Sequence, residues 1–171
     1  MQKTKHIIWF LIGTIIAVAL DQWTKWMAVE RLAGKKPYVI WEGVFELHYS
    51  TNDGAAWGML SGRQGFFLLV ALIVAVLVAY TLYRVPTEKK YLPLVICLML
   101  ILSGALGNMI DRVRQGYVVD FLYFKLINFP IFNVADCYVT VATALLLVLL
   151  LFKYSEEDLA FFSLKKKGES N

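Results

Sequence analysis

The sequence predicts an all-α membrane protein with four transmembrane helices, a small β-hairpin region on its outer side and a short amphipathic segment. Hydrophobic residues make up 59% of the 171 residues and charged residues 18%, against roughly 45–50% and 25% in soluble domains. Four apolar stretches approach the roughly 20 residues that a helix needs to cross a bilayer. The net charge is +4, but the basic residues lie between the apolar stretches and form no continuous stripe. This distribution is typical of membrane topology and argues against nucleic-acid binding.

Each apolar stretch is predicted to be a helix because backbone polar groups cannot remain unpaired in lipid. The first contains 14 uncharged residues ending at Leu20 and follows Lys3 and Lys5, a pattern that also resembles a cleavable signal peptide. Its helical pattern continues past Leu20, which favours a retained helix. The predicted helices cover about residues 7–26, 66–83, 92–110 and 134–152, and the predicted outer loops cover about 28–65 and 111–132.

Charge distribution predicts the orientation of one membrane domain, residues 1–152, and its tail, residues 153–171. An even number of helices places both termini and the 84–91 loop on one side. That side holds nine Lys and Arg residues in 33, whereas the other holds seven in 60. Because Lys and Arg concentrate in cytoplasmic loops, both termini are predicted to be cytoplasmic. The tail is predicted to be largely solvated, with Lys165–Lys167 near anionic lipid.

The first outer loop contains signals for local structure at the membrane surface. Tyr38–Trp41 and Val44–Tyr49 are rich in aromatic and β-branched residues and flank Glu42-Gly43, which predicts a small β-hairpin. The segment Ala55–Leu60, with Trp57, is predicted to be a short amphipathic piece lying on the membrane.

Ionisable residues in or against the membrane are few and therefore informative. Asp21 and Lys25 are four residues apart near the outer end of the first helix, a spacing typical of a helix-end ion pair. Asp111 is flanked by Arg112 and Arg114, so a structural, ion-paired role is predicted for it.

Asp120 and Asp136 have a different character. Asp120 lies in a strongly apolar stretch, and Asp136 lies in the first turn of the fourth helix, at the same predicted depth. Two carboxyl groups brought together share one proton, so that one can act as a base and the other as an acid towards water. The alternative is that Asp136 only caps its helix, and the residues alone leave both readings open.

Nucleophilic thiol and metal chemistry are disfavoured. Cys137 follows Asp136, but a cysteine nucleophile needs a histidine base, and the two histidines, His6 and His48, lie on opposite predicted sides. Neither histidines nor cysteines have the spacing of a metal site, and Cys97 is predicted to be a packing residue. No metal ion or other cofactor is therefore expected.

Five sequence motifs, in order, closely resemble those of the lipoprotein signal peptidase (signal peptidase II) family. They are Asp21-Gln22-Trp23-Thr24-Lys25, Asn52-Asp53-Gly54-Ala55-Ala56-Trp57-Gly58, Ser103-Gly104-Ala105-Leu106-Gly107-Asn108-Met109-Ile110-Asp111-Arg112, Gly116-Tyr117-Val118-Val119-Asp120-Phe121 and Phe132-Asn133-Val134-Ala135-Asp136. Trp57 and Ser103 depart from the family pattern, in which phenylalanine and glycine are common. Both departures bear on loop detail rather than on function.

The resemblance implies a bacterial inner-membrane aspartic endopeptidase with its site facing the outer leaflet. Such an enzyme removes the signal peptide of a diacylglyceryl-modified prolipoprotein by cutting before the lipidated cysteine. The implied partners are this substrate and membrane phospholipid, the enzyme being a monomer. Asp120 and Asp136 would be the catalytic dyad. The implied supporting residues are Asn108, Arg112, Asn133, Asn52, Gly54, Asp21 and Lys25.

Two other classes of protein remain as alternatives. A small proton-coupled transporter would use intramembrane carboxylates as a proton relay, but would place them near the middle of the bilayer. A non-catalytic scaffold would need neither aspartate. In the peptidase interpretation, the small residues Ser103, Gly104, Ala105 and Gly107 allow close approach of the third helix to a neighbour.

Overall fold

Four long helices and a three-stranded antiparallel sheet form the part of the chain that the computed structural model describes, residues 2–54, 60 and 62–162. All four helices are long and apolar enough to cross a membrane, which confirms the predicted fold class. The elements are α1 (Gln2–Leu32), β1 (Tyr38–Trp41), β2 (Phe45–Asn52), α2 (Gln64–Arg84), α3 (Leu92–Gln115), β3 (Val118–Phe124) and α4 (Val134–Phe152).

Helix α3 is the centre of the bundle and packs against each of the other three helices. In its apolar window 39% of the residues are buried, against 17% in each of the others. The remaining helices expose most of their large apolar side chains, such as Trp9 and Leu72. Because lipid is the solvent of these surfaces, their exposure is the expected consequence of a membrane location.

Two glycines allow α3 to approach its neighbours closely, as the small-residue pattern predicted. A Cβ atom on Gly104 would lie 2.5 Å from the carbonyl oxygen of Ala135 and 2.6 Å from Cγ2 of Val139, both on α4. A Cβ atom on Gly107 would collide with the carboxylate of Asp21 on α1. Helix packing in membranes relies on such small residues because close backbone contact replaces the hydrophobic effect as the driving force.

Helix α1 is longer than the membrane requires. Its 31 residues span about 46 Å, against about 30 Å for the hydrocarbon core of a bilayer. Near its C-terminal end, Ala28 packs with Val119 and Phe121 of β3 in a second hydrophobic cluster. The end of α1 therefore supports the sheet.

The predicted hairpin is present, but it is part of a larger sheet. Strands β1 and β2 are antiparallel, and β2 also pairs antiparallel with β3, giving the order β1-β2-β3. Since β3 comes from the connection between α3 and α4, the two outer connections meet at one end of the bundle. The predicted amphipathic segment, Ala55–Leu60, lies outside the described residues except for Leu60.

At the opposite end of the bundle, the first ten residues of the tail lie against the α2–α3 connection. Six of these ten residues are exposed, but Tyr154 is buried, its ring stacks on Tyr91, and Phe161 contacts Tyr91 edge-on. An ion pair between Lys90 and Asp158 joins the same two segments. Aromatic residues in the tail stabilise this packing, because their rings remove a large apolar area from water when they are buried. Lys165–Lys167 lie outside the described residues.

Candidate active site

Pairing between β2 and β3 positions the first aspartate. Asp120 lies opposite Ser50, and Val118 lies opposite Asn52, so Asn52 and Asp120 are diagonal neighbours on one face of the sheet. The Nδ2 atom of Asn52 donates a hydrogen bond of 3.0 Å to Oδ2 of Asp120. Asp120 is 2% exposed, so its carboxyl group lies in an environment of low polarity.

A short stretch of backbone pairing brings the start of α4 to the same place. Phe132 pairs with Leu122 of β3 through bonds of 2.8 and 3.0 Å between their backbone groups. Asn133 follows directly, and its Nδ2 atom donates to Oδ1 of Asp120 over 2.6 Å. Asn133 is completely buried.

A capping box at the start of α4 positions the second aspartate. The side chain of Asn133 accepts a bond of 3.0 Å from the backbone N–H of Asp136, and Oδ2 of Asp136 accepts one of 3.1 Å from the backbone N–H of Asn133. Asp136 therefore does cap its helix. Its other oxygen, Oδ1, accepts a bond of 2.8 Å from Nδ2 of Asn108. Asp136 remains partly exposed, so its carboxylate is not completely buried although it caps the helix and accepts a hydrogen bond from Asn108.

Asn133 joins the two aspartates, since it donates to Asp120 through its side chain and to Asp136 through its backbone. It also donates to Oδ1 of Asn108 over 3.1 Å. The carboxyl groups that lie 16 positions apart in the sequence thus share one polar network at the sheet end of the bundle.

The neutral form of Asp120 is favoured by its surroundings. Burial raises the pKa of Asp120 to about 7, with the negative charge of Asp136 as the second cause, while hydrogen bonds from Asn52 and Asn133 act in the opposite direction. Desolvation penalises the carboxylate because its charge loses hydration. Asp120 consequently changes its protonation state near neutral pH.

A buried ion cluster lies directly behind this network. The Nζ atom of Lys25 lies 3.0 Å from Oδ2 of Asp21 and 3.1 Å from Oδ2 of Asp111, and it donates to Oδ1 of Asn108 over 2.8 Å. The predicted pair of Asp21 and Lys25 is therefore present, but it is buried. Asp111 is ion-paired as expected, yet its partner is Lys25 and not the adjacent arginines, because α3 turns the acid towards α1.

The same cluster holds the start of α4 and of β3. Oδ1 of Asp21 accepts the backbone N–H of Ala135 over 2.9 Å, which satisfies a free N–H group in the first turn of α4. Oδ2 of Asp111 accepts the backbone N–H of Val119 over 3.1 Å. Gln22 bridges both acids, with contacts of 3.3 and 2.9 Å.

Arg112 contacts the outer loop rather than the aspartates. Its Nη2 atom donates to the carbonyl oxygen of Gly54 over 2.9 Å, and its guanidinium lies 4.3 Å from the ring centre of Phe67. The buried Nε atom has no hydrogen-bond acceptor among the described residues. The N–H of Gly54 in turn donates to Oδ1 of Asn52 over 3.0 Å, so the loop is tied to the network around Asp120.

The structure thus brings all nine predicted site residues to one end of the bundle. Sequence reasoning assigned no role to Gln22, although this residue lies inside one of the five motifs, and it did not place Asp111 in the cluster around Lys25. The position of Gln22 directly after Asp21 and within one turn of Lys25, at the end of an apolar stretch, was the signal that could have indicated it.

Comparison with known proteins identifies close relatives. The family model for signal peptidase (SPase) II, Peptidase_A8, matches residues 13–152. A lipoprotein signal peptidase of Enterococcus faecalis is 39% identical over 145 residues, which cover 85% of this chain and 88% of the relative. One from Lactococcus lactis is 41% identical over 141 residues, covering 82% and 92%.

Solved structures show the same fold. A bacterial membrane enzyme determined by the in meso method at 2.3 Å resolution superposes with a TM-score of 0.72 and 29% identity, covering 92% of this chain and 93% of its own. A second, determined at 1.9 Å, also gives a TM-score of 0.72, with 30% identity over 85% of this chain and 94% of the other.

Proposed function

Because this chain belongs to the signal peptidase II family, a family of lipoprotein signal peptidases, we propose that it is an aspartic endopeptidase acting on diacylglyceryl-modified prolipoproteins. The cut falls on the amide bond just before the lipidated cysteine. The observation that carries the proposal is Asn133, which hydrogen-bonds both Asp120 and Asp136 at one end of the membrane bundle.

The two aspartates act together on one water molecule. With one proton between them, the ionised carboxylate removes a proton from water, and the protonated one donates to the carbonyl oxygen of the substrate. The water oxygen forms a bond to the carbonyl carbon. Collapse of the tetrahedral intermediate then breaks the C–N bond, and the amine of the cysteine leaves with a proton returned by the dyad. The raised pKa of Asp120 supports a singly protonated pair near neutral pH.

The neighbouring amides hold the dyad in place. Asn108 and Asn133 direct their N–H groups at the carboxylates, and Lys25 holds the oxygen of Asn108. These contacts orient the dyad, and they are directed at the carboxylates rather than at the developing oxyanion. Arg112 is the better candidate for that role, because its buried Nε has no acceptor among the described residues and fixed donors in a dry site stabilise developing negative charge strongly.

The site faces the outer leaflet in this proposal, and both termini are cytoplasmic. Support comes from the denser Lys and Arg content of the loops at the opposite end. A lipidated cysteine in the outer leaflet keeps its preceding amide near the headgroups, at the level of the sheet. The enzyme is proposed to act as a monomer. Gly54, tied to Asn52 and Arg112, would place the end of β2 over the substrate.

The reaction class is tested by peptide cleavage with the purified full-length protein. A peptide that carries a diacylglyceryl cysteine is expected to be cut once, immediately before that cysteine, as identified by mass spectrometry. The same peptide with an unmodified cysteine is the matched control and should remain intact. Equal cleavage of both peptides, or cleavage at another bond, would contradict the proposed substrate.

The pH profile tests the dyad's protonation state. With the pKa of Asp120 at about 7, raising the pH through this value converts the singly protonated pair into two carboxylates, and kcat/KM should fall about tenfold per pH unit above it. Asn52→Ala removes a hydrogen bond that lowers this pKa, so the alkaline limb should move to higher pH.

Thr51→Ala is the control for this experiment. Thr51 is exposed and neighbours Asn52 on the opposite face of β2, so its removal should leave the profile where it is. An alkaline limb that stays in place in Asn52→Ala, or one that moves equally in both variants, would contradict the assignment of the limb to Asp120.

The geometry supports a peptidase better than a proton-coupled transporter. The aspartates lie where the sheet meets the ends of the helices, and not halfway along them. A proton relay across the membrane requires ionisable groups along its depth. The arrangement at one end fits chemistry at the membrane surface.

A further inference from the structure

An apolar groove lies between the last three turns of α1 and the sheet, separate from the site described above. It encloses about 190 Å³. Six of its lining residues follow α1 at helical spacing, and two come from the sheet. They are Trp23, Thr24, Met27, Ala28, Arg31, Leu32, Leu47 and Phe121.

Within β3, the residue that lines the groove and the residue that belongs to the dyad lie on opposite faces of the strand. Phe121 is adjacent to Asp120 in the strand, and successive side chains of a strand point to opposite faces. Phe121 packs with Ala28 of α1, whereas Asp120 meets Asn52 and Asn133. A molecule in the groove would therefore not compete with a substrate peptide at the dyad.

Among the residues that the structure describes, one charged side chain lines the groove, and it has no ion-pair partner there. Arg31 is exposed at the end of α1, and its guanidinium has no hydrogen bond or ion pair with any residue in the described part of the chain. Lys35 and Lys36 follow closely, also exposed. A positive rim above an apolar lining complements a molecule with a negative head and an aliphatic chain.

The groove is long enough to extend from the lipid headgroups to the upper part of the acyl chains. Trp23 and Arg31 are eight residues apart on α1, which is about 12 Å along the helix axis. The exposed rings of Trp23 and Trp26 are typical of the membrane interface. With Arg31 at the level of lipid phosphates, the Trp23 end of the groove reaches the upper part of the acyl chains.

We propose that this groove is a binding site for an anionic phospholipid of the surrounding bilayer, with Arg31 on the phosphate and one acyl chain along Met27, Leu47 and Phe121. The proposal goes beyond the peptidase reaction and requires no contact with the dyad. An occupied groove would fill the space between α1 and β3, and so would support the strand that carries Asp120.

Lipid retention by the purified full-length protein tests this site, with native mass spectrometry in detergent as the readout. Dioleoyl phosphatidylglycerol is the probe, and dioleoyl phosphatidylcholine, with the same chains and no net charge, is its control. We expect one phosphatidylglycerol to be retained about fivefold more tightly than phosphatidylcholine, the effect of one basic side chain beside an anionic lipid. Arg31→Gln should remove this preference.

Two further variants distinguish binding in the groove from a general effect of net charge. Arg63→Gln makes the same charge change on the same side but outside the groove, and should retain the preference. Leu47→Trp fills the groove and should reduce binding of both lipids. Should Leu47→Trp fail to fold, Arg31→Gln remains decisive because its side chain is exposed.

Three outcomes would overturn the proposal. The first is an unchanged preference in Arg31→Gln, and the second is an equal loss in Arg63→Gln, which would indicate net charge alone. The third is displacement of the retained lipid, one for one, by a diacylglyceryl peptide, since the groove would then hold the lipid of the substrate. The proposal would be supported if Arg31→Gln abolishes the retention of phosphatidylglycerol and the diacylglyceryl peptide does not displace this lipid from the unmodified protein.

Discussion

Replacing Asp120 or Asp136 by asparagine is expected to lower the rate of lipopeptide cleavage at least about a thousandfold, because each removes one half of the acid–base pair. Folding should be retained. Asparagine matches aspartate in shape, and at position 136 its carbonyl oxygen can still accept the backbone N–H of Asn133. Each variant replaces one accepted hydrogen bond by a contact between two donors, so a moderate loss of stability is expected without loss of the fold. The measurement is single-turnover cleavage of the diacylglyceryl peptide by each purified variant.

Asp158→Asn is the matched control for both dyad variants. Asp158 lies at the opposite end of the bundle, where it pairs with Lys90, so the same chemical change there should leave the cleavage rate within a factor of two. The double variant Asp120→Asn/Asp136→Asn should be no slower than either single one, since two residues that act as a unit are not additive. Retention of a tenth of the rate in either single variant would contradict a dyad mechanism.

The second large effect is expected on stability. Lys25→Met keeps the length of the side chain but leaves Asp21 and Asp111 buried together without a cation. Removing one partner from a buried ion pair costs about 3–5 kcal/mol, because an uncompensated charge remains in a low dielectric. The thermal unfolding midpoint in detergent should fall by on the order of 10 °C. Cleavage should also slow, because Asn108 loses the contact that orients it towards Asp136.

Lys125→Met provides the comparison. Lys125 also pairs with an acid, Glu46, at 2.6 Å; the acid is buried, but the lysine side chain is 48% exposed, so solvent screens this pair more than the cluster around Lys25. Only one carboxylate loses its cation in this variant, so its midpoint should fall by less than that of Lys25→Met. Lys25→Met with Asp21→Asn and Asp111→Asn removes all three charges and should recover part of the lost stability. A midpoint in Lys25→Met equal to that in Lys125→Met would refute a stabilising ion cluster.

Most of the fold could be predicted because each transmembrane helix is specified locally. Continuous apolar stretches identified all four helices, and aromatic and β-branched residues identified β1 and β2. Helix ends were less predictable: α1 continues to Leu32 because its last turns pack on the sheet. The last turns of α1 contain charged residues, including Glu30 and Arg31, so hydropathy does not reveal that the helix continues beyond the apolar stretch.

The candidate site was predictable as a set of residues but less so as a set of contacts. Motif resemblance indicated Asp120, Asp136 and their seven supporting residues, all of which lie at one end of the bundle. It could not show that Lys25, and not Arg112, is the partner of Asp111, because neighbours in sequence on a helix need not point at one another. Nor could it show that Arg112 contacts Gly54.

The sequence by itself determined the four long apolar helices and the family, since hydropathy and motif order belong to the chain regardless of how it packs. Only the tertiary structure decided that β3 completes the sheet, that Phe132 pairs with it, and that Asn133 therefore lies between the two aspartates. The physical reason is that a hydrogen bond or an ion pair depends on distances of about 3 Å, which are set by segments that packing brings together from remote parts of the chain.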